Sequence, residues 1–258
     1  REVAVAVRDA RKAADLAARG VSVREADYAR PESLPSALAG AEKVLLISSS
    51  ELGQRLAQHR AVVAAAKAAS VKLLAYTSIL RADTARISLA AEHRATEEAI
   101  KSSGIPYVFL RNGWYLENYT ENLAPALAHG MILGSAREGR VAAASRADYA
   151  AAAVEALVGA GHEGRTYELA GDRSFTMADL AAEVSRASGK PVEYRDLPEK
   201  EYAAALAGLG LPPAVAEMLA DADVALARGE LDLLGDDLRR LAGRPTTTLA
   251  EAVAAALA

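Results

Sequence analysis

The chain has 258 residues, 52% hydrophobic and 25% charged, so a sizeable core can form and global disorder is excluded. It has no cysteine, which rules out disulfides, thiolate metal sites and a cysteine nucleophile. A net charge of −4 argues against nucleic acid as the main partner, and no apolar run reaches the roughly 18 residues of a membrane helix.

The first two thirds alternate short apolar runs with longer helical patterns, the signature of βαβ units on a parallel sheet. Val3–Val7 reads as a buried strand. Asp9 caps a helix running to about Arg19 and stopped by Gly20. Residues 21–27 alternate as a strand, and Pro31–Leu38 is a short helix with proline near its start. Lys43–Ser48 is a continuous apolar strand, expected to be buried on both faces. A helix follows over Gln54–Ala69, then the strand Val71–Ser78, the helix Leu89–Ser103 and the strand Tyr107–Arg111. Beyond it the pattern loosens. Residues 112–118 read as a loop or broken helix, 121–129 as a helix followed by two short extended pieces, 146–159 as a helix, and 166–170 as a sheet-like run. From Thr176 onward the expectation is short helices with proline and glycine breaks. The fold class is therefore α/β: a Rossmann-like parallel sheet over residues 1–170 and a mostly helical substrate-binding cap over 171–258, with residues 112–140 packing with the cap.

Polar residues gather just after the apolar strands: Arg8, Asp27 and Tyr28, Ser48 to Ser50, Thr77 and Ser78, and Asn112 with Gly113. In a doubly wound sheet such points line one ligand crevice. No glycine-rich phosphate turn follows any strand. If Val3–Val7 is a first strand, its turn lacks the glycines that let backbone approach a phosphate. If it is a second strand, Arg8 sits where a fingerprint residue reads the ribose, and an arginine there suits the 2′-phosphate of NADP.

Several stretches resemble a known family: VREADY (Val23–Tyr28), LLISSSELGQR (Leu45–Arg55), the segment from Ser103 to Tyr119 with RNGWYLENY, SRADYAAAA (Ser145–Ala153) and GRPTTTLAE (Gly243–Glu251). They resemble the NmrA-like branch of the atypical short-chain dehydrogenase/reductases, in particular the bacterial type 2 NADPH:quinone oxidoreductases. The resemblance spans essentially the whole chain. It implies NADPH as cofactor, a small-molecule quinone as substrate, and direct hydride transfer without flavin. Family members carry a further strand, a GxTGxxG-type turn and a helix ahead of the point where this chain starts; either that segment lies upstream of Arg1, which we expect, or the protein has lost its phosphate loop. The usual YxxxK pair is absent: Tyr76 lies inside a strand and is followed by Thr77. Where many NmrA-like reductases have a lysine four residues before a glutamate, this chain has His93 before Glu97.

These considerations place the cofactor on Arg8, Asp27, Tyr28, Ile47, Ser48, Ser49, Thr77 and Ser78. The quinone falls to Trp114, Tyr115 and Asn118, and the catalytic roles to His93, Asn112 and Tyr115. Each has a plainer reading beside it. His93 is either an exposed helix residue next to Glu92 and Glu97 or a hydrogen-bond donor near the nicotinamide ribose or the reduced quinone. Asp27 flanks the adenine or caps a turn, and Asn112 partly ties loop backbone. Tyr107 reads as core, Gln58 and His59 as facing either cofactor or solvent, with solvent preferred, and Asp148 as a helix cap. The acids Asp221, Asp223 and Asp232–Asp237 read as a solvated helical surface. The protein is expected to be cytoplasmic, without a signal peptide or membrane insertion. A binding protein that senses NAD(P) without turnover is the alternative; a nucleotide-sugar epimerase would want the missing Tyr/Lys pair.

Overall fold

The computed structural model describes residues 2–258. Strand β1 (Ala4–Val7) pairs in parallel with β2 (Ser22–Glu25). Between them a 3₁₀ turn, Ala10–Ala13, runs into the short helix α1 (Ala14–Ala18), and Asp9 caps the turn by accepting the Arg11 amide. A second 3₁₀ turn at Pro31–Ser33 leads into α2 (Leu34–Leu38). Then follow β3 (Lys43–Leu46), α3 (Arg55–Ala68), β4 (Leu73–Ile79), α4 (Leu89–Ser103) and β5 (Tyr107–Asn112). The later elements are α5 (Glu117–Thr120), α6 (Ala124–His129), β6 (Met131–Gly134), β7 (Arg140–Val141), α7 (Arg146–Val158), β8 (Arg165–Leu169) and β9 (Phe175–Thr176). The chain ends with α8 (Met177–Ser188), β10 (Glu193–Asp196), α9 (Glu199–Gly208), α10 (Pro213–Ala227), α11 (Asp237–Ala242) and α12 (Leu249–Leu257).

The main sheet has the order β3-β4-β5-β8. It is parallel: β3 and β4 pair in register from Lys43–Leu73 to Leu46–Tyr76, and β5 runs alongside β4, with Leu74 N–H bonded to Pro106 O and Leu80 N–H to Asn112 O. Two compact units make up the chain, and each is described by itself. Unit 1 comprises 1–78, 92–109 and 157–165; unit 2 comprises 79–91, 110–156 and 166–258.

The core of unit 1 joins Leu34 and Leu38 of α2, Leu46 of β3, Val62, Val63 and Ala66 of α3, Leu74 and Tyr76 of β4, Ile100 of α4 and Phe109 of β5. These positions recur at helical spacing on α3 and with strand alternation on β4, so one apolar face of each element meets the others. Unit 2 packs α8 (Leu180, Ala181, Val184) against Leu116, Val141, Phe175, Leu226 and Val253. Here β6 pairs in parallel with β10 and β7 antiparallel with β9.

Two strands are less covered than their sequences suggest. β1 alternates between exposed and half-buried residues, and Val3 is 58% exposed. β3 buries only Leu46 fully. Among the described residues each pairs on one side only, and an apolar run reports what a strand can bury rather than what covers it. A strand, β10, interrupts the mostly helical tail.

Candidate active site

In unit 1 the turn after β3 is held by side chains from two other elements, β4 and α3. Thr77, near the end of β4, accepts the Ser48 N–H through Oγ1 at 2.8 Å. His59 accepts the Ser49 N–H at Nε2, 2.9 Å away, and the Arg55 Nε donates to the Ser49 carbonyl at 2.8 Å. The buried Arg55 also pairs with Glu92 of α4 at 3.1 Å, and Gln58 donates to Glu51 at 2.6 Å. Arg55, Gln58 and His59 stand at i, i+3 and i+4, so the first turn of α3 turns one polar face toward this loop.

Strand alternation sends Thr77 toward Ser48 and its neighbour Ser78 to the opposite face, where Ser78 donates to Glu97 at 2.6 Å. One residue earlier, the Tyr76 hydroxyl lies 2.7 Å from His93 Nδ1. On α4, His93, Thr96 and Glu97 are all buried, so this helix presents polar groups on its inner face. Because Nε2 of His59 accepts the Ser49 amide, its proton sits on Nδ1 and faces Thr96 Oγ1 at 3.0 Å. The Thr96 hydroxyl in turn donates to the Glu92 carbonyl at 2.8 Å. The hydrogen bonds form one consistent chain.

Burial sets the charge states. It depresses His59 to about 4, helped by the Arg55 guanidinium. It depresses His93 to about 3, helped by Arg55 and His59. Burial also raises the Tyr76 phenol above its ordinary value. At neutral pH both imidazoles and the phenol are uncharged, so His93 offers hydrogen bonds rather than an imidazolium proton.

The other expected cofactor residues fall around this loop. Arg8 is mostly exposed and pairs with Glu51 at 3.2 Å. Ile47, just past β3, is 61% exposed. The Tyr28 hydroxyl reaches the Ile47 carbonyl at 3.4 Å. Asp27 shapes a turn: it accepts the Ala29 N–H at 2.9 Å and pairs with Arg30 at 3.8 Å.

The remaining expected residues belong to unit 2. Asn112 closes β5 almost fully buried; its Nδ2 lies 3.4 Å from the Tyr115 hydroxyl, and its Oδ1 has no partner among the described residues. Gly113 follows because a Cβ there would stand 3.1 Å from both the Leu169 carbonyl and the Tyr149 hydroxyl. Trp114 is half-buried against Ile79, Ile87, Ala222 and Ala225, and its carbonyl accepts the Tyr149 hydroxyl at 3.2 Å. Tyr115 stands edge-on to Tyr149 and beneath the Arg146 guanidinium, at 5.3 Å in each case. Asn118 is exposed on α5.

Two sequence readings are corrected and a third is refined. His59 and Gln58 face inward, since His59 has no exposed surface and Gln58 is 6% exposed. Asp148 caps α7 together with Ser145: the Ser145 hydroxyl accepts the Asp148 N–H while Asp148 accepts the Ser145 N–H; Asp148 also pairs with Arg244 at 2.6 Å. The acids Asp221, Asp223 and Asp237 hold backbone amides of Ser88, Ser135 and Glu168 rather than forming a solvated face. Burial raises Asp223 to about 6. A Cβ on Gly134 would stand 2.8 Å from its carboxylate, so the turn approaches closely. Sequence reasoning missed His59, Thr96, Arg55 and Asp223 as structural partners. The available signal was polar residues at helical spacing on otherwise apolar inner faces.

Among the described residues, no group of three or more histidines or acids could hold a metal ion, and no helix is long and apolar enough to cross a membrane.

The NmrA-like family model matches residues 1–232. Quinone oxidoreductase 2 of Escherichia coli is 54% identical over 252 residues, covering 98% of this chain and 88% of that protein. The chain belongs to the NmrA-like family. A crystal structure of the E. coli NADPH-dependent quinone oxidoreductase complexed with NADPH superimposes on this NmrA-like chain with a TM-score of 0.95 and 53% identity, over 99% of this chain and 90% of that one. The Citrobacter sp. triphenylmethane reductase complexed with NADP(H) does so with a TM-score of 0.93 and 39% identity, over 98% and 90%. The parallel α/β core of this NmrA-like protein is thus shared with NADP(H)-binding reductases.

Proposed function

We propose that this NmrA-like protein is an NADPH-dependent oxidoreductase that passes hydride directly to a quinone, without flavin. The whole-chain likeness to the E. coli quinone oxidoreductase carries this reading. NADPH, when bound, supplies the hydride.

The residues of unit 1 fit the adenosine end of such a cofactor. The Arg8 guanidinium is exposed and able to exchange Glu51 for a 2′-phosphate, and Ile47 offers an apolar surface at a strand end. Ser48 and Ser49 sit on a loop already fixed by buried groups. Asp27 and Tyr28 shape the adjoining turn, and Thr77 and Ser78 complete the set. We assign the quinone to Trp114, Tyr115 and Asn118 of unit 2, with the Asn112 amide as a hydrogen-bonding group; to neutral His93 of unit 1 we assign an assisting catalytic role. The product needs one further proton beyond the hydride, and water is sufficient donor because the aromatic ring stabilises the oxyanion. The protein then contributes orientation and exclusion of water more than acid–base chemistry. We place it in the cytoplasm.

The test is steady-state NADPH oxidation with a simple benzoquinone. Turnover supports the reading. NADPH binding without turnover assigns the protein to redox sensing instead.

A further inference from the structure

We propose that His59 is a positioning residue for cofactor binding, acting through the Ser49 amide. The inference rests on the reading above, in which Ser48 and Ser49 contact NADPH.

His59 has no exposed surface, so it touches no ligand itself. Its ring is wedged edge-on between Tyr28 and Tyr76, with centroids 6.4 and 5.4 Å away. Both nitrogens are committed: Nε2 to the Ser49 N–H and Nδ1 to Thr96. The Ser49 peptide is gripped on both sides, since Arg55 holds its carbonyl. Ser48 is fixed separately by Thr77. Two successive amides are therefore bound to buried side chains, and the Ser49 hydroxyl accepts the Glu51 N–H at 3.2 Å within the same loop. A loop held in this way binds without first being ordered. Removing the imidazole leaves the Ser49 amide without its acceptor and returns freedom to the loop, while neither hydrogen bond of His59 is to a group assigned to the quinone.

The experiment compares His59→Leu, His59→Gln and Thr96→Val with the wild-type protein, reading KM for NADPH, KM for benzoquinone, and kcat at saturating NADPH. A glutamine amide can both accept from Ser49 and donate to Thr96. Valine at 96 keeps the size of threonine but removes the acceptor that fixes the His59 tautomer. We expect His59→Leu to raise the NADPH KM by about tenfold, with kcat and the quinone KM within about twofold, and His59→Gln to recover most of the loss. Thr96→Val, which perturbs packing least, should give the same split at about threefold. An unchanged NADPH KM in all three variants, or a fall in kcat that matches the rise in KM, overturns the proposal. A glutamine variant no better than leucine overturns it as well. If the wild-type protein binds NADPH without turning over, the oxidoreductase reading fails. Fluorescence titration with NADPH then applies the same comparison to Kd. A wild-type protein that does not bind NADPH overturns both.

Discussion

At the scale of single residues, Arg8 and His93 carry the sharpest expectations. The Arg8–Glu51 pair is exposed on both sides, and such pairs contribute little, so Glu51 presents a small barrier to a competing phosphate. Losing a charge-assisted bond to a 2′-phosphate costs on the order of 1.5–3 kcal/mol. Arg8→Ala should therefore weaken NADPH binding by about tenfold to a hundredfold and leave NADH nearly unaffected. Equal changes in the two constants would show that Arg8 is not the selector. His93 is neutral and buried, and its Nδ1 is occupied by Tyr76. His93→Ala should slow NADPH oxidation about tenfold, below the roughly 10²–10⁴-fold effect of a required general acid. A thousandfold loss would make it a true acid; no loss would leave it a partner of Tyr76 alone. His93 could be picked out in the sequence because it stands where family members place a lysine. His59 could not: its partners Ser49 and Thr96 lie 10 and 37 positions away, and only folding brings them together.

At the scale of elements, α3 and α4 each turn a neutral histidine into the core of unit 1. Unfolded, a histidine titrates near 6.5; folded, these two do so at about 4 and about 3. Between those values the unfolded chain binds more protons than the folded one, so stability rises with pH. Their contribution is full above about 6.5 and is lost as pH falls toward 4 and then 3. Every tenfold drop in the proton affinity of a folded imidazole corresponds to about 1.4 kcal/mol. Hydrogen exchange, corrected for intrinsic rates, should show α3 and α4 losing protection between pH 7 and 5, and His59→Gln should reduce that loss. Equal protection at both pH values would mean that the histidines are charged in the fold. The boundaries of α4 follow the sequence reading from Leu89 to Ser103, because apolar spacing and the glycine after it agree. α1 does not: its first turn is 3₁₀, drawn tight where Asp9 takes the Arg11 amide. β1 and β3 read as buried strands because composition records apolar content but not neighbours.

At the scale of the whole molecule, Asp223 of unit 2 responds to acid with the sign opposite to that of the unit 1 histidines. Asp223 of unit 2 titrates at about 6 when folded, against 3.8 unfolded. The folded state holds the extra proton between these values, so this stabilisation is present below 3.8 and is lost as pH rises through about 6. Asp223→Asn keeps an acceptor for the Ser135 amide and removes the buried charge. It should stabilise unit 2 by about 1–3 kcal/mol at pH 8 and much less at pH 5. Thermal unfolding at both pH values tests this, and an equal gain at each would point to packing rather than charge. The parallel sheet was visible in the order of apolar runs, whereas the division into units was not. The units interleave along the chain, with β5 and β8 each passing from one to the other.

Trp114 is the chain's one tryptophan, and its indole rests among the apolar residues of unit 2. The molecule thus carries a single indole, confined to one of its two units, beside nine tyrosines. Excited selectively, its emission follows the loosening of unit 2, while peptide-bond circular dichroism averages over both. Under mild acid the dichroic signal should therefore decay while the emission holds its wavelength. Read side by side, the two signals report on unit 2 and on the whole chain without any added label.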